Sequence, residues 1–176
     1  YKYSPLSSSD DIRLLALRAG KRHAIVECKL NHVSLSSTTA YEALSYTWGS
    51  DSNLQPILVG GCVFYVRENL ASALQHLRYE DADRVLWVAA SCINQSDIEE
   101  RNRQVLRMGS IFQNAKSVQA WIGAAGDDSG EAIALIRNIN NDDWRENFLK
   151  DVLDGGATIL HQSQRWRAIA VLMERA

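Results

Sequence analysis

The chain has 176 residues, of which 46% are hydrophobic and 23% charged, with a formal net charge of −2. That balance excludes wholesale disorder, and the near-neutral charge argues against nucleic-acid binding by bulk electrostatics. No apolar run approaches the ~18 residues that a membrane span needs, so no span is expected. One core commonly serves ~100–200 residues, so 1–176 reads as a single domain. It opens at Tyr1 rather than Met and stops at Ala176 inside a helical pattern, which reads as a domain cut from a longer protein. Cys28, Cys62 and Cys92 are far apart and form no CxxC or zinc spacing, so neither a disulfide framework nor a metal site is indicated. The sequence shows no secretory-leader pattern, so a reducing cytoplasmic setting is the expectation.

In chain order, Ile12–Leu17 and Ala24–Cys28 read as short strands about a polar turn, followed by a Ser/Thr-rich loop at Ser34–Thr39. Tyr41–Trp48 predicts a strand running into a loop closed by Gly49 to Asn53. Pro56–Val59 and Cys62–Val66 flank Gly60-Gly61, the signature of a two-residue hairpin. Glu68–Arg78 carries Leu70, Leu74 and Leu77 at helical spacing. Val85–Ala90 is apolar without alternation, as expected of a strand buried on both faces. Ser96 with Glu99 predicts a capping box, and Val105, Met108, Ile111, Phe112 and Ala115 predict the buried stripe of the helix it starts. Ser117–Ile122 is the next strand, ended by Gly123. Helical patterns follow at Ala132–Ile139, Trp144–Leu153 and, after Ser163, Trp166–Met173.

The order predicts an α/β fold, with a βαβ unit from Val85 to Ile122 and parallel pairing across it. In such sheets ligands sit beyond the carboxyl ends of the strands, here Ser45–Gly49, Ser91–Gln95 and Gly123–Gly126. Tyr46, Trp48 and Gly49 are candidates for stacking on a flat ring, with glycine allowing close backbone approach; the alternative puts Trp48 in the core. Asn94 and Gln95, just before a helix N-terminus, suit phosphate or ribose oxygens, or else pin the turn. Arg101 reads as a phosphate contact or as a surface ion-pair partner, and surface pairing is the expectation for Glu99, Glu100 and Arg103. Cys92 lacks a histidine base and reads as a buried thiol.

Three blocks carry a family resemblance: Tyr41-Glu42-Ala43-Leu44-Ser45-Tyr46-Thr47-Trp48-Gly49; Leu86-Trp87-Val88-Ala89-Ala90-Ser91-Cys92-Ile93-Asn94-Gln95 with Glu100-Arg101 and Gln104-Val105; and Trp121-Ile122-Gly123. They strongly resemble the fungal heterokaryon incompatibility (HET) domain, and the likeness runs from Ile12 onward, with a weaker block at Trp166 to Glu174. The resemblance implies a death reaction on fusion of incompatible cells. It also implies remote kinship with Toll/interleukin-1 receptor (TIR) domains, many of which cleave NAD. The implied fold is therefore TIR-like (flavodoxin-like): a largely parallel central sheet flanked by helices, with the Gly60-Gly61 hairpin added.

By the same resemblance Glu174 is the catalytic carboxylate, able to stabilise positive charge on a ribose as the nicotinamide bond breaks. NAD or a related nucleotide is the implied substrate, with no resident cofactor, and an upstream sensor or partner domain is implied without being identified. The family usually has Asp where this chain has Ala89, and Arg, Trp and Gln where it has Ala168, Ala170 and Met173. Those changes predict slow or absent NAD hydrolysis and leave a nucleotide-binding pseudoenzyme open; natural decay and deliberate inactivation both produce such a pattern. The rival expectation is a non-enzymatic module that acts by self-association.

Overall fold

The computed structural model describes residues 1–124 together with Gly130, Ile133 and Ala134. Two compact units divide the chain, Tyr1–Trp121 and Ile122–Ala176. In the second, Ile133 and Ala134 are helical. The other patterns read beyond residue 124, the weak block that ends at Glu174 included, lie outside the described residues.

The first unit holds one seven-stranded sheet in the order β5-β4-β2-β1-β6-β3-β7. Its strands are β1 (Asp11–Leu17), β2 (Glu27–Ser34), β3 (Glu42–Tyr46), β4 (Leu54–Val59), β5 (Cys62–Arg67), β6 (Arg84–Trp87) and β7 (Ser117–Trp121). Strands β6, β3 and β7 run parallel, and β2 is parallel to β4. Strand β1 runs antiparallel to both β2 and β6, and β4 to β5. The sheet is therefore mixed rather than largely parallel. Antiparallel neighbours need only a short connection, and β1 reaches β2, as β4 reaches β5, through a loop with no crossover.

Strand β1 is the centre of the core. Ile12, Leu14, Leu15 and Leu17 are buried on it, and so is Arg13. The second strand lies later than the apolar run Ala24–Cys28 and takes in polar residues as far as Ser34, because pairing with β1 from Leu17↔Cys28 to Asp11↔Ser34 fixes its span. The Gly60-Gly61 hairpin forms as expected, with Val59 opposite Cys62 and both glycines at positive φ, 57° and 80°.

Helix α1 (Glu68–Leu77) buries Leu70, Ala71, Ala73 and Leu74 against β4 and β5, which is the face its period predicts. Strand β6 does have neighbours on both sides, β1 and β3. It stops at Trp87 rather than Ala90, because Ala89–Cys92 coil into a single helical turn, α2. The Cys92 N–H donates to the Val88 carbonyl at 2.7 Å. An apolar run does not by itself separate a buried strand from a buried helical turn, and Ala89-Ala90 favours the helix.

The helix after it also departs from the expected pattern. Asp97, not Ser96, caps α3 (Ile98–Leu106), accepting from the Glu100 N–H at 2.9 Å. The Ser96 N–H is already committed to Asn94 Oδ1. The helix breaks at Arg107, whose guanidinium turns away to the Asp10 carboxylate, and α4 (Met108–Asn114) follows. Glu100 and Gln104 face inward, leaving Val105 51% exposed and Leu106 87% exposed. The predicted apolar stripe therefore holds on α4 at Ile111 and Phe112 but fails at Val105. No helix among the described residues is long and apolar enough to cross a membrane.

Candidate functional site

The carboxyl ends of β3 and β6 meet a shallow recess of about 160 Å³. Three of the residues picked from the sequence or their neighbours line it: Tyr46 ends β3, Trp48 follows in the loop, and Gln95 arrives from the turn after α2. Phe64, Tyr65 and Arg67, from β5, complete its wall. The added hairpin thus forms one wall of the recess.

Local chemistry fixes the loop. Gly49 sits at φ 71°, a left-handed conformation that a side chain resists. Arg67 donates from Nη1 to the Gly49 carbonyl at 2.7 Å, and its guanidinium lies 5.4 Å from the centre of the Trp48 ring. Asn69, on the first turn of α1, donates to the Thr47 carbonyl and accepts from Trp121 Nε1 at 2.8 Å. One amide therefore joins the ends of β3 and β7 to the helix. Trp48 is 39% exposed, so it is a wall residue and not a core one. Burial pushes the Tyr46 phenol above its ordinary range, with Arg67 pulling the other way, so the hydroxyl stays protonated as a donor.

Gln95 donates from Nε2 to the Ala89 carbonyl at 2.9 Å, which ties it to the start of α2. Asn94 lies in the same turn, but its side chain accepts from the Ser96 N–H and its own N–H goes to Glu100. It pins the turn. Arg101 stands exposed on α3, away from the recess, with no side-chain hydrogen bond or ion pair among the described residues. Ala89 is half-buried at the start of α2. Glu174, Ala168 and Ala170 lie outside the described residues. Cys92 is a buried thiol, pushed up to about 12 by desolvation, which leaves no thiolate for nucleophilic work near neutral pH.

Two features escaped the sequence. Among the described residues Arg67 is the only charged one lining the recess, and a lone arginine between a strand and a helix matches no motif. Glu100 is not a surface residue: it grips the buried Arg13 with both carboxylate oxygens, the second at 2.9 Å from Nη2. Arg13 also donates to the carbonyls of Cys92 and Ser4, and Gln104 Nε2 donates to the Asp11 carbonyl. The spacing of Glu100 and Gln104, one helical turn apart, was the available signal, since i and i+4 share a face. Glu42 likewise serves the sheet, bridging Arg84 on β6 and Gln119 on β7.

Compared with known proteins, the chain matches the family model described as "Heterokaryon incompatibility protein (HET)" over residues 41–176. Among curated proteins it is similar to "Heterokaryon incompatibility protein 6, OR allele" of Neurospora crassa, with 30% identity over 159 residues, taking in 81% of this chain and 23% of that one. The chain thus spans about a quarter of the length of that relative. No solved structure matches it.

Proposed function

Because this chain belongs to the heterokaryon incompatibility (HET) family, we propose that it is the effector portion of a fungal incompatibility protein and provokes cell death by acting on an NAD-type nucleotide. The observation that carries this reading is the recess, where Tyr46, Trp48 and Gln95 meet at the carboxyl ends of parallel strands. Ligands gather at such ends in α/β sheets. The parallel trio β6-β3-β7 supports a TIR-like reading of that half of the sheet. Glu174 takes the carboxylate role in this proposal, on the family resemblance alone. With Ala89, Ala168 and Ala170 in place of Asp, Arg and Trp, turnover is slow or absent, since each lost positioning or charge-bearing group is commonly worth ~100-fold.

The test is NAD consumption by the chain as it stands and after Ala89→Asp, Ala168→Arg and Ala170→Trp together. The restored protein should release nicotinamide well above the starting chain, and adding Glu174→Ala should abolish the gain. A folded, restored protein that consumes no NAD and is not toxic on expression would move the assignment to self-association. A specific observation favours that second reading: Ile98, Val105 and Leu106 present apolar side chains to solvent from one short helix. Light scattering over a concentration series, with Leu106→Glu as the comparison, tests it.

A further inference from the structure

We infer that the recess accepts one six-membered aromatic ring carrying an oxygen acceptor, and that Arg67 selects for that acceptor. This rests on the reading above only in placing a ligand at the recess. The size argument comes first. A cavity on the order of 150 Å³ holds a single benzene, whereas sites for whole cofactors run to roughly 300–1,000 Å³. At about 160 Å³, this recess matches one ring, and any larger ligand would have to project beyond it.

The lining then sets the chemistry. Tyr46, Phe64, Tyr65 and Trp48 supply ring faces and edges, the surroundings in which a flat ring packs offset or edge-on. Among the described residues no carboxylate lines the recess, and its one charge is the Arg67 guanidinium. Arg67 spends Nη1 on the Gly49 carbonyl, which holds the guanidinium in place, while Nη2 and Nε have no acceptor among the described residues. A pre-positioned cation with spare donors beside an aromatic wall fits a ring carbonyl or carboxylate, with the carboxylate favoured because a charged acceptor makes a hydrogen bond roughly twice as strong. Gln95 lines the same recess with its Nε2 committed to Ala89, and its Oε1 has no donor among the described residues, which suits the N–H of a carboxamide. The two sources of this ring chemistry are therefore a neutral aromatic amide and an aromatic acid.

Saturation-transfer NMR on the 176-residue chain separates them, with nicotinamide, nicotinate and adenosine as probes. Both pyridines should receive saturation and displace each other, nicotinate binding the more tightly, while adenosine displaces neither. Arg67→Met should weaken nicotinate about tenfold and nicotinamide less. Ala90→Leu, which fills the recess from α2, should remove both. Adenosine displacing the pyridines, no saturation transfer to either ring, or equal nicotinate affinity in Arg67→Met would each overturn the inference. NAD turnover is not read, so a catalytically silent chain leaves this test intact.

Discussion

Arg13 and Glu100 form a two-point ion pair inside the protein, with side chains 0% and 4% exposed. One sits on the central strand β1 and the other on α3, so the pair fastens the helix to the middle of the sheet. Removing one partner of a buried pair strands the other charge, at a cost of ~3–5 kcal/mol. Glu100→Ala should therefore lower the urea midpoint steeply, and Arg13→Met with Glu100→Leu together should recover much of the loss. A Glu100→Ala protein of unchanged stability would contradict this role.

The same pair sets an acid limit. Burial raises the pKa of the Glu100 carboxyl, but the Arg13 hydrogen bonds and the Asn94 N–H outweigh it and hold the group below the usual glutamate range. A carboxyl depressed in the folded state stabilises fully above its unfolded pKa of about 4.3 and loses that contribution as pH falls. Glu42, held low by its Arg84 hydrogen bond, acts in the same direction. Unfolding free energy should stay level near neutral pH and decline below about pH 5, with a shallower decline in Glu100→Gln.

Thiol labelling should separate the cysteines. Cys62 is exposed, whereas Cys28 and Cys92 are buried, with both thiols pushed up to about 12 by burial. Iodoacetamide at mildly alkaline pH should modify Cys62 alone in the native protein and all three after denaturation. Rapid native labelling of Cys92 would mean that the turn after β6 opens readily.

Trp48→Ala should leave the fold intact, with a change in stability of about 1 kcal/mol or less, because the ring is part-exposed and stacked under Arg67. Loss of a core tryptophan would cost ~3–5 kcal/mol. Circular dichroism and a urea titration distinguish the two outcomes.

Asn69→Leu should cost about 1–3 kcal/mol, because it removes the amide that donates to the Thr47 carbonyl and accepts from Trp121 Nε1, and puts nothing polar in its place. Thermal unfolding reads the loss. Asn69→Asp, which keeps an acceptor for Trp121 but loses the donor to Thr47, should fall between.

Local chemistry was legible in the sequence wherever it is self-contained. Gly60-Gly61 demands a tight hairpin whatever surrounds it, and the leucines of α1 mark its buried face by spacing alone. Features that depend on a distant partner were not legible. Nothing near Glu100 shows that an arginine some 87 positions earlier is buried and needs a counter-charge, so an apolar stripe through Val105 was the natural reading. The cap falls on Asp97 rather than Ser96 because the helix starts at Ile98, which puts the Glu100 N–H within reach of Asp97 Oδ1, and sequence spacing alone does not fix that start. At the recess, the aromatic loop and Gln95 were readable as strand-end residues, while Arg67 enters only because β5 folds back beside them.

The position of β1 bears on where this module can be cut. The match to the family model begins at residue 41, yet β1 lies between β2 and β6 in the sheet and carries the counter-charge to Glu100. A fragment started at residue 41 would leave β6 with an open edge and Glu100 as an uncompensated anion, and it should aggregate. The stretch that the family model matches thus leaves out two strands of the sheet. Any transplant of this module between proteins has to carry the first two strands with it.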